Sequence, residues 1–147
     1  MFHNLQRAAT TAPTTSLRRL FSATTDFHGL LHVLQSSNSN AIIIDVRERN
    51  EIAVTGSVVN TINKFGIDKD EIRYGEITLN QIMEGAFQQT NDTFQENYSF
   101  VKPKYTETLI FSCAAGVRSA TAQKFAQEAG YTSTLNYLGG ANEWTKL

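Results

Sequence analysis

The residue in this chain best equipped for covalent chemistry is Cys113, its only cysteine. It opens the segment Cys113-Ala114-Ala115-Gly116-Val117-Arg118, between a predicted strand and a predicted helix. A short loop that curls over a thiol and feeds a helix aims several backbone N–H groups at one point. Gly116 permits the tight curvature this requires. The helix N-terminus adds partial positive charge and Arg118 can add a full one; both favour the thiolate, the attacking form of sulfur. Ala114, Ala115 and Val117 supply no general acid or base, so the backbone must provide most of the anion recognition. Such a loop suits chemistry that needs a stabilised anionic sulfur and little proton transfer. The competing reading is a strand-end cysteine buried as a small hydrophobe. The glycine turn and the arginine argue against it.

The elements that must hold this loop follow from periodicity. Phe27, Leu30, Leu31 and Leu34 recur at helical spacing, which predicts an amphipathic helix over 26–36, capped by Thr25 or Asp26 and ended by the polar run 36–40. Ala41 to Val46 is β-branched and nearly continuously apolar, as in a strand covered on both faces. Arg47 to Val54 suits a short helix stopped by Gly56, and Val58 to Ile62 suits a second strand. The stretch from Lys64 to Ser99 is polar and less periodic, with helices predicted over 79–87 and 92–98. Thr108 to Ser112 is a strand leading straight into Cys113. After Gly116 a helix presents Ala122, Phe125, Ala126 and Ala129 on its apolar face and stops at Gly130. A strand over 134–138, a Gly139-Gly140 turn and a closing helix over 141–147 bearing Trp144 complete the chain. Alternating strands and helices predict one α/β domain, a central and mostly parallel sheet with helices on both faces. Ligands of such sheets bind beyond the carboxyl ends of the strands, where Cys113 falls.

Composition excludes several function classes. At 147 residues, 41% hydrophobic and 18% charged, the chain has room for one domain with a substantial core. The formal charge of −1 offers no basic field for nucleic acid. The apolar run Ala41 to Ile44 is too short to span a bilayer, so no membrane insertion is expected. One cysteine forbids an internal disulfide and a cysteine-rich metal centre, and no cofactor is implied. His28 and His32 stand one helical turn apart, but no third ligand accompanies them, and a solvated face explains them. Asp68, Asp70 and Glu71 lack the glycine and distal glutamate of a calcium loop.

Residues 1–25 read differently. They hold Arg7, Arg18 and Arg19, eight Ser or Thr, and no acid before Asp26. An arginine-rich, serine-rich, acid-poor leader predicts a mitochondrial presequence. Arg19-Leu20-Phe21 ahead of Ser22 resembles matrix-protease sites, so residues 1–21 are expected to be the presequence and 22–147 the mature, matrix-located domain.

The segment Ile110 to Ser119 resembles the active-site loop of single-domain rhodaneses, thiosulfate sulfurtransferases whose loop has the form Cys-x-x-Gly-x-Arg. Ile44-Asp45-Val46-Arg47-Glu48 with Glu51 and Gly56 resembles the family's first signature, and Ala129-Gly130-Tyr131 precedes the last strand as in the family. Leu138-Gly139-Gly140 with Trp144 resembles its closing signature. The segment 87–104, with Phe87, Phe94, Tyr98 and Lys102-Pro103, agrees as well. The resemblance implies that Cys113 accepts a sulfane sulfur from thiosulfate or a small persulfide and passes it to an external thiol or cyanide. It implies that the amides of Ala114, Ala115, Gly116, Val117 and Arg118 hold the outer sulfur, and that Asp45 and Arg47 tie the neighbouring strand end to the loop. Two departures stand out: Gly56-Ser57-Val58-Val59 replaces the family's Gly-His-Ile-Pro, and Ala114-Ala115 replaces residues that are often polar or charged. Two other readings remain open, a cysteine-dependent phosphatase or arsenate reductase and a non-catalytic binding module of the same fold. Four residues separate Cys113 from Arg118, one fewer than in the cysteine phosphatases that resemble this fold, and Ser112 stands where those enzymes generally have a histidine.

Overall fold

The computed structural model describes residues 23–36 and 39–147. The expected leader, 1–21, lies outside these residues, as does part of the polar run 36–40. Five strands form one sheet: β1 (Thr24–Thr25), β2 (Ala41–Asp45), β3 (Tyr74–Glu76), β4 (Thr108–Ser112) and β5 (Thr134–Tyr137). Their order is β1-β5-β4-β2-β3, and every pairing is parallel. The strand carrying Cys113 at its carboxyl end is therefore the central one.

Side chains along a strand alternate between faces, and this splits the core in two. On one face Ile42, Ile44, Leu109 and Phe111 meet Phe87, Phe94, Ala122, Ala126 and Tyr131. Phe87 lies in the 3-10 turn Ala86–Gln88, Phe94 in α5 (Asn91–Tyr98), Ala122 and Ala126 in α6 (Val117–Glu128), and Tyr131 in the loop between α6 and β5. On the other face Ala41, Ile43 and Ile110 meet Phe27 and Leu30 of α1 (Phe27–Gln35), Val58 and Ile62 of α3 (Val58–Lys64), and Ala141 and Trp144 of α7 (Gly140–Trp144). Helices cover both faces, as expected of a strand apolar throughout. Each large side chain buried this completely contributes about 1.5–3 kcal/mol.

Two expectations are corrected. Val58 to Ile62 is not a strand but the start of α3, with Val58, Thr61 and Ile62 buried. Those positions are three and four apart, so the same β-branched residues fit a helical stripe as well as a strand. Two strands were not expected: the two-residue edge strand β1, and β3, whose Tyr-Gly-Glu has no apolar run to announce it. The helix expected over 79–87 ends as α4 (Leu79–Met83); Gly85, at φ +107, breaks it before the 3-10 turn. Elsewhere Asp26 caps α1, accepting from Gly29 N at 2.8 Å, while Thr25 belongs to β1. His28 and His32 are exposed on α1, and Asp68, Asp70 and Glu71 form an exposed 3-10 turn.

The carboxyl end of β2 is locked by a buried ion pair. Asp45 and Arg47 are each 2% exposed, with Arg47 Nη2 2.7 Å and Nε 3.0 Å from the carboxylate. Nη1 donates to Thr55 Oγ1 at 2.7 Å and Nη2 to the Gly56 carbonyl at 3.0 Å, so Arg47 also finishes α2 (Arg49–Thr55). Its guanidinium lies 5.4 Å from the Trp144 ring centre, reaching α7. Removing one partner of a buried pair strands the other charge. Asp45→Ala should therefore lower unfolding stability by about 3–5 kcal/mol in urea titration. A loss under about 1 kcal/mol would show that the pair is not holding the sheet end.

Candidate active site

Cys113 directly follows β4 and is 1% exposed. Its Sγ receives the Gly116 amide at 3.1 Å and the Ser119 amide at 3.4 Å, and the Ser119 hydroxyl lies at 3.2 Å. Burial opposes ionisation of the thiol. The Ser119 hydroxyl and the amides of Ser119, Ala115 and Gly116 outweigh it and hold the pKa below the ordinary thiol value. The sulfur also faces the first turn of the twelve-residue α6, whose dipole favours an anion.

The loop can aim its amides inward because its carbonyls are taken elsewhere. The Cys113 carbonyl accepts from Ala141 N at 2.8 Å and the Ala114 carbonyl from Asn142 N at 3.0 Å, both in α7. The Gly116 carbonyl accepts from Asn136 Nδ2 of β5 at 3.0 Å. Two glycines make this closeness possible. A Cβ on Gly116, at φ +82, would sit 2.6 Å from the Leu138 carbonyl oxygen, and one on Gly140, at φ +54, would sit 2.3 Å from that of Cys113.

Arg118 makes no hydrogen bond to Sγ among the described residues. Its two terminal nitrogens grip Glu51 of α2, each at 2.8 Å. The fork clamps the first turn of α6 to α2, while Glu51 also accepts from its own helix at Glu48 N, 2.8 Å. Arg118 holds the Glu51 carboxyl down at about 2, and Glu51 in turn raises the arginine's pKa. Positive charge near the sulfur is thus largely answered by a carboxylate, and hydrogen bonds to the backbone and to Ser119 bind the anion.

The expected loop residues come together around the sulfur unequally. Gly116 and Ala115 point amides at it, whereas Val117 is 73% exposed and no contact from the Ala114, Val117 or Arg118 amides reaches Sγ among the described residues. Asp45 and Arg47 do not bond the loop directly. Arg47 instead lies against the Trp144 ring of α7, whose first amides hold the loop carbonyls, and Val46, just past β2, donates its amide to Ser112 O at 2.9 Å. The sequence pointed to no part for Ser119, Glu51 or Asn136 around the sulfur, and marked Gly140 only as a turn residue. Ser119 and Glu51 stood inside recognised segments. Asn136 was legible only as a polar residue within the strand predicted over 134–138.

Comparison with known proteins agrees with this geometry. The rhodanese-like domain model matches residues 30–147. Thiosulfate sulfurtransferase/rhodanese-like domain-containing protein 3 of Mus musculus is 37% identical over 108 residues, covering 74% of this chain and 60% of the mouse protein, so this chain spans less than two thirds of that relative. The mitochondrial thiosulfate sulfurtransferase RDL2 of Saccharomyces cerevisiae is 30% identical over 118 residues, covering 80% of this chain and 69% of that protein. The human single-domain sulfurtransferase TSTD1 superposes with a TM-score of 0.67 at 31% identity, over 85% of this chain and 96% of that structure. The crystal structure of RDL2 gives 0.65 at 27% identity, over 84% and 89%. A parallel sheet with a single cysteine at the end of its central strand, a four-residue cradle closed by an arginine, and a family match over most of the chain place this protein in the rhodanese-like domain family.

Proposed function

We propose that the protein is a sulfurtransferase that carries sulfane sulfur on Cys113. The observation that carries this reading is the ring of donors on Sγ, from Gly116 N, Ser119 N and Ser119 Oγ, in a loop with no acid or base. The Cys113 thiolate attacks the outer sulfur of thiosulfate; the Sγ–S bond forms, the donor's S–S bond breaks, and sulfite departs with the electron pair. A thiolate or cyanide then takes the outer sulfur, and the pair returns to Sγ. No proton need move in either step, which matches a loop made of backbone, alanine and valine. A small persulfide serves as donor in the same way. The amides of residues 114–118 hold the outer sulfur, and Asp45 with Arg47 supports the loop from behind. The names of yeast RDL2 as a thiosulfate sulfurtransferase and of human TSTD1 as a single-domain sulfurtransferase support this reading.

Localisation belongs to the same proposal. The acid-free leader and a yeast relative named mitochondrial support import to the matrix, with cleavage near Ser22. N-terminal sequencing of protein isolated from its own cells should find starts close to Ser22; intact Met1 throughout would contradict import with cleavage.

With one cysteine, thiosulfate treatment should add the mass of one sulfur, and a thiol should remove it. Cys113→Ser should abolish both the adduct and thiocyanate formation. Hydrolysis of aryl phosphates with no adduct would instead favour the phosphatase reading, and neither activity would favour a binding module. Ser119→Ala removes the hydroxyl donor at 3.2 Å and keeps the residue's amide donor; because a hydrogen bond stabilises the thiolate more than the neutral thiol, its loss raises the thiol pKa. The ascending limb of kcat/KM against pH should therefore move to higher pH, with a loss of about tenfold below the limb for each unit of displacement. An unmoved limb would show that Ser119 does not stabilise the reacting anion.

A further inference from the structure

A cavity of about 390 Å3 opens beside the loop, with Ala114, the neighbour of Cys113, on its wall. That volume is in the range that holds a small organic molecule. Val54, 85% exposed, and Ala141 supply further apolar wall. Among the described residues the charged groups lining the cavity are Arg47 and Glu51, and each is committed, Arg47 to Asp45 and Glu51 to both nitrogens of the Arg118 fork. A carboxylate entering here would meet no unpaired cation among the described residues, while part of its own surface would be turned from water against alanine and valine. Hydrogen-bonding capacity is available in another form. The Asn142 side chain has no partner among the described residues, and Asn50 uses only its Oδ1, accepting from Glu51 N at 3.0 Å, which leaves its NH2 group open. Two carboxamides beside alanine and valine suit a ligand with amide groups and little charge.

We infer that this cavity seats the body of the sulfur acceptor, and that it selects an uncharged, amide-bearing thiol over one carrying carboxylates. The inference rests on Cys113 being the sulfur carrier. The acceptor's thiolate attacks the outer sulfur of the Cys113 persulfide; a new S–S bond forms on the acceptor, the Sγ–S bond breaks, and its electron pair returns to Sγ as thiolate. Charge balances, since one thiolate and one persulfide anion become one persulfide anion and one thiolate. The cavity contributes by holding the amide portion while the thiolate reaches the loop.

N-acetylcysteine and N-acetylcysteine amide form a matched pair that differs by one carboxylate. With thiosulfate as donor, kcat/KM per thiolate should favour the amide by about tenfold, the worth of one modest discriminating contact. Val54→Lys, at an exposed position, adds an unpaired cation to the wall and should shrink or reverse the preference; Asn142→Lys serves as a second variant. Equal use of the two thiols, or preference for the acid, would overturn the inference, as would an unchanged ratio in both lysine variants. Cyanide turnover and the sulfur adduct on intact protein are measured alongside. Their presence with no thiol preference rejects the cavity alone, whereas their absence rejects the sulfur-carrier reading beneath it.

Discussion

An anionic sulfur can sit almost wholly out of water only where other donors replace its hydration, and this requirement shapes the molecule around Cys113. Transfer of a charged or polar group from water costs several kcal/mol unless hydrogen bonds compensate. Gly116 and Ser119 provide those bonds directly to Sγ. Their positions are fixed from three directions: β4 brings the cysteine to the sheet's carboxyl edge, α6 supplies Ser119, and α7 captures the carbonyls that would otherwise face the sulfur. Stabilising an anion here is a matter of which way peptide planes point.

The same logic explains the charged residues. Arg118 does not touch the sulfur; it joins α6 to α2 through Glu51, a pair whose partners are each about one third exposed. The buried Asp45–Arg47 pair joins β2, α2 and, across the Trp144 ring, α7. Two ion pairs thus hold the helices that hold the loop. With their charge spent on each other, they leave a site mouth of alanine, valine and carboxamide, which bears on what can approach it.

Much of this was legible in the sequence, and the failures have physical causes. The run Ala41 to Asp45 is apolar at every buried position before its final aspartate, so a two-sided strand was readable, and Cys113 through Arg118 announced a strand-to-helix turn. Val58 to Ile62 misled because β-branched residues at 58, 61 and 62 satisfy either period, and only burial against α7 and β2 decides between them. β3 was invisible because three residues, one a glycine packed under Phe100, carry no pattern. Ser119 and Glu51 lay in quoted segments, yet their roles depend on distances across the fold. A spacing of 67 positions between Glu51 and Arg118 contains no local signal of contact.

The central claim is that the loop stabilises the thiolate despite burial, and the pH dependence of Cys113 alkylation tests it most directly. Iodoacetamide reacts with the thiolate, and a single cysteine makes the modified mass unambiguous. Burial slows the absolute rate but leaves the midpoint of its rise with pH to report the pKa. The midpoint is expected below the ordinary thiol value of about 8.5. A midpoint at or above that value would mean that desolvation wins and that the donors around Sγ do not create a reactive anion.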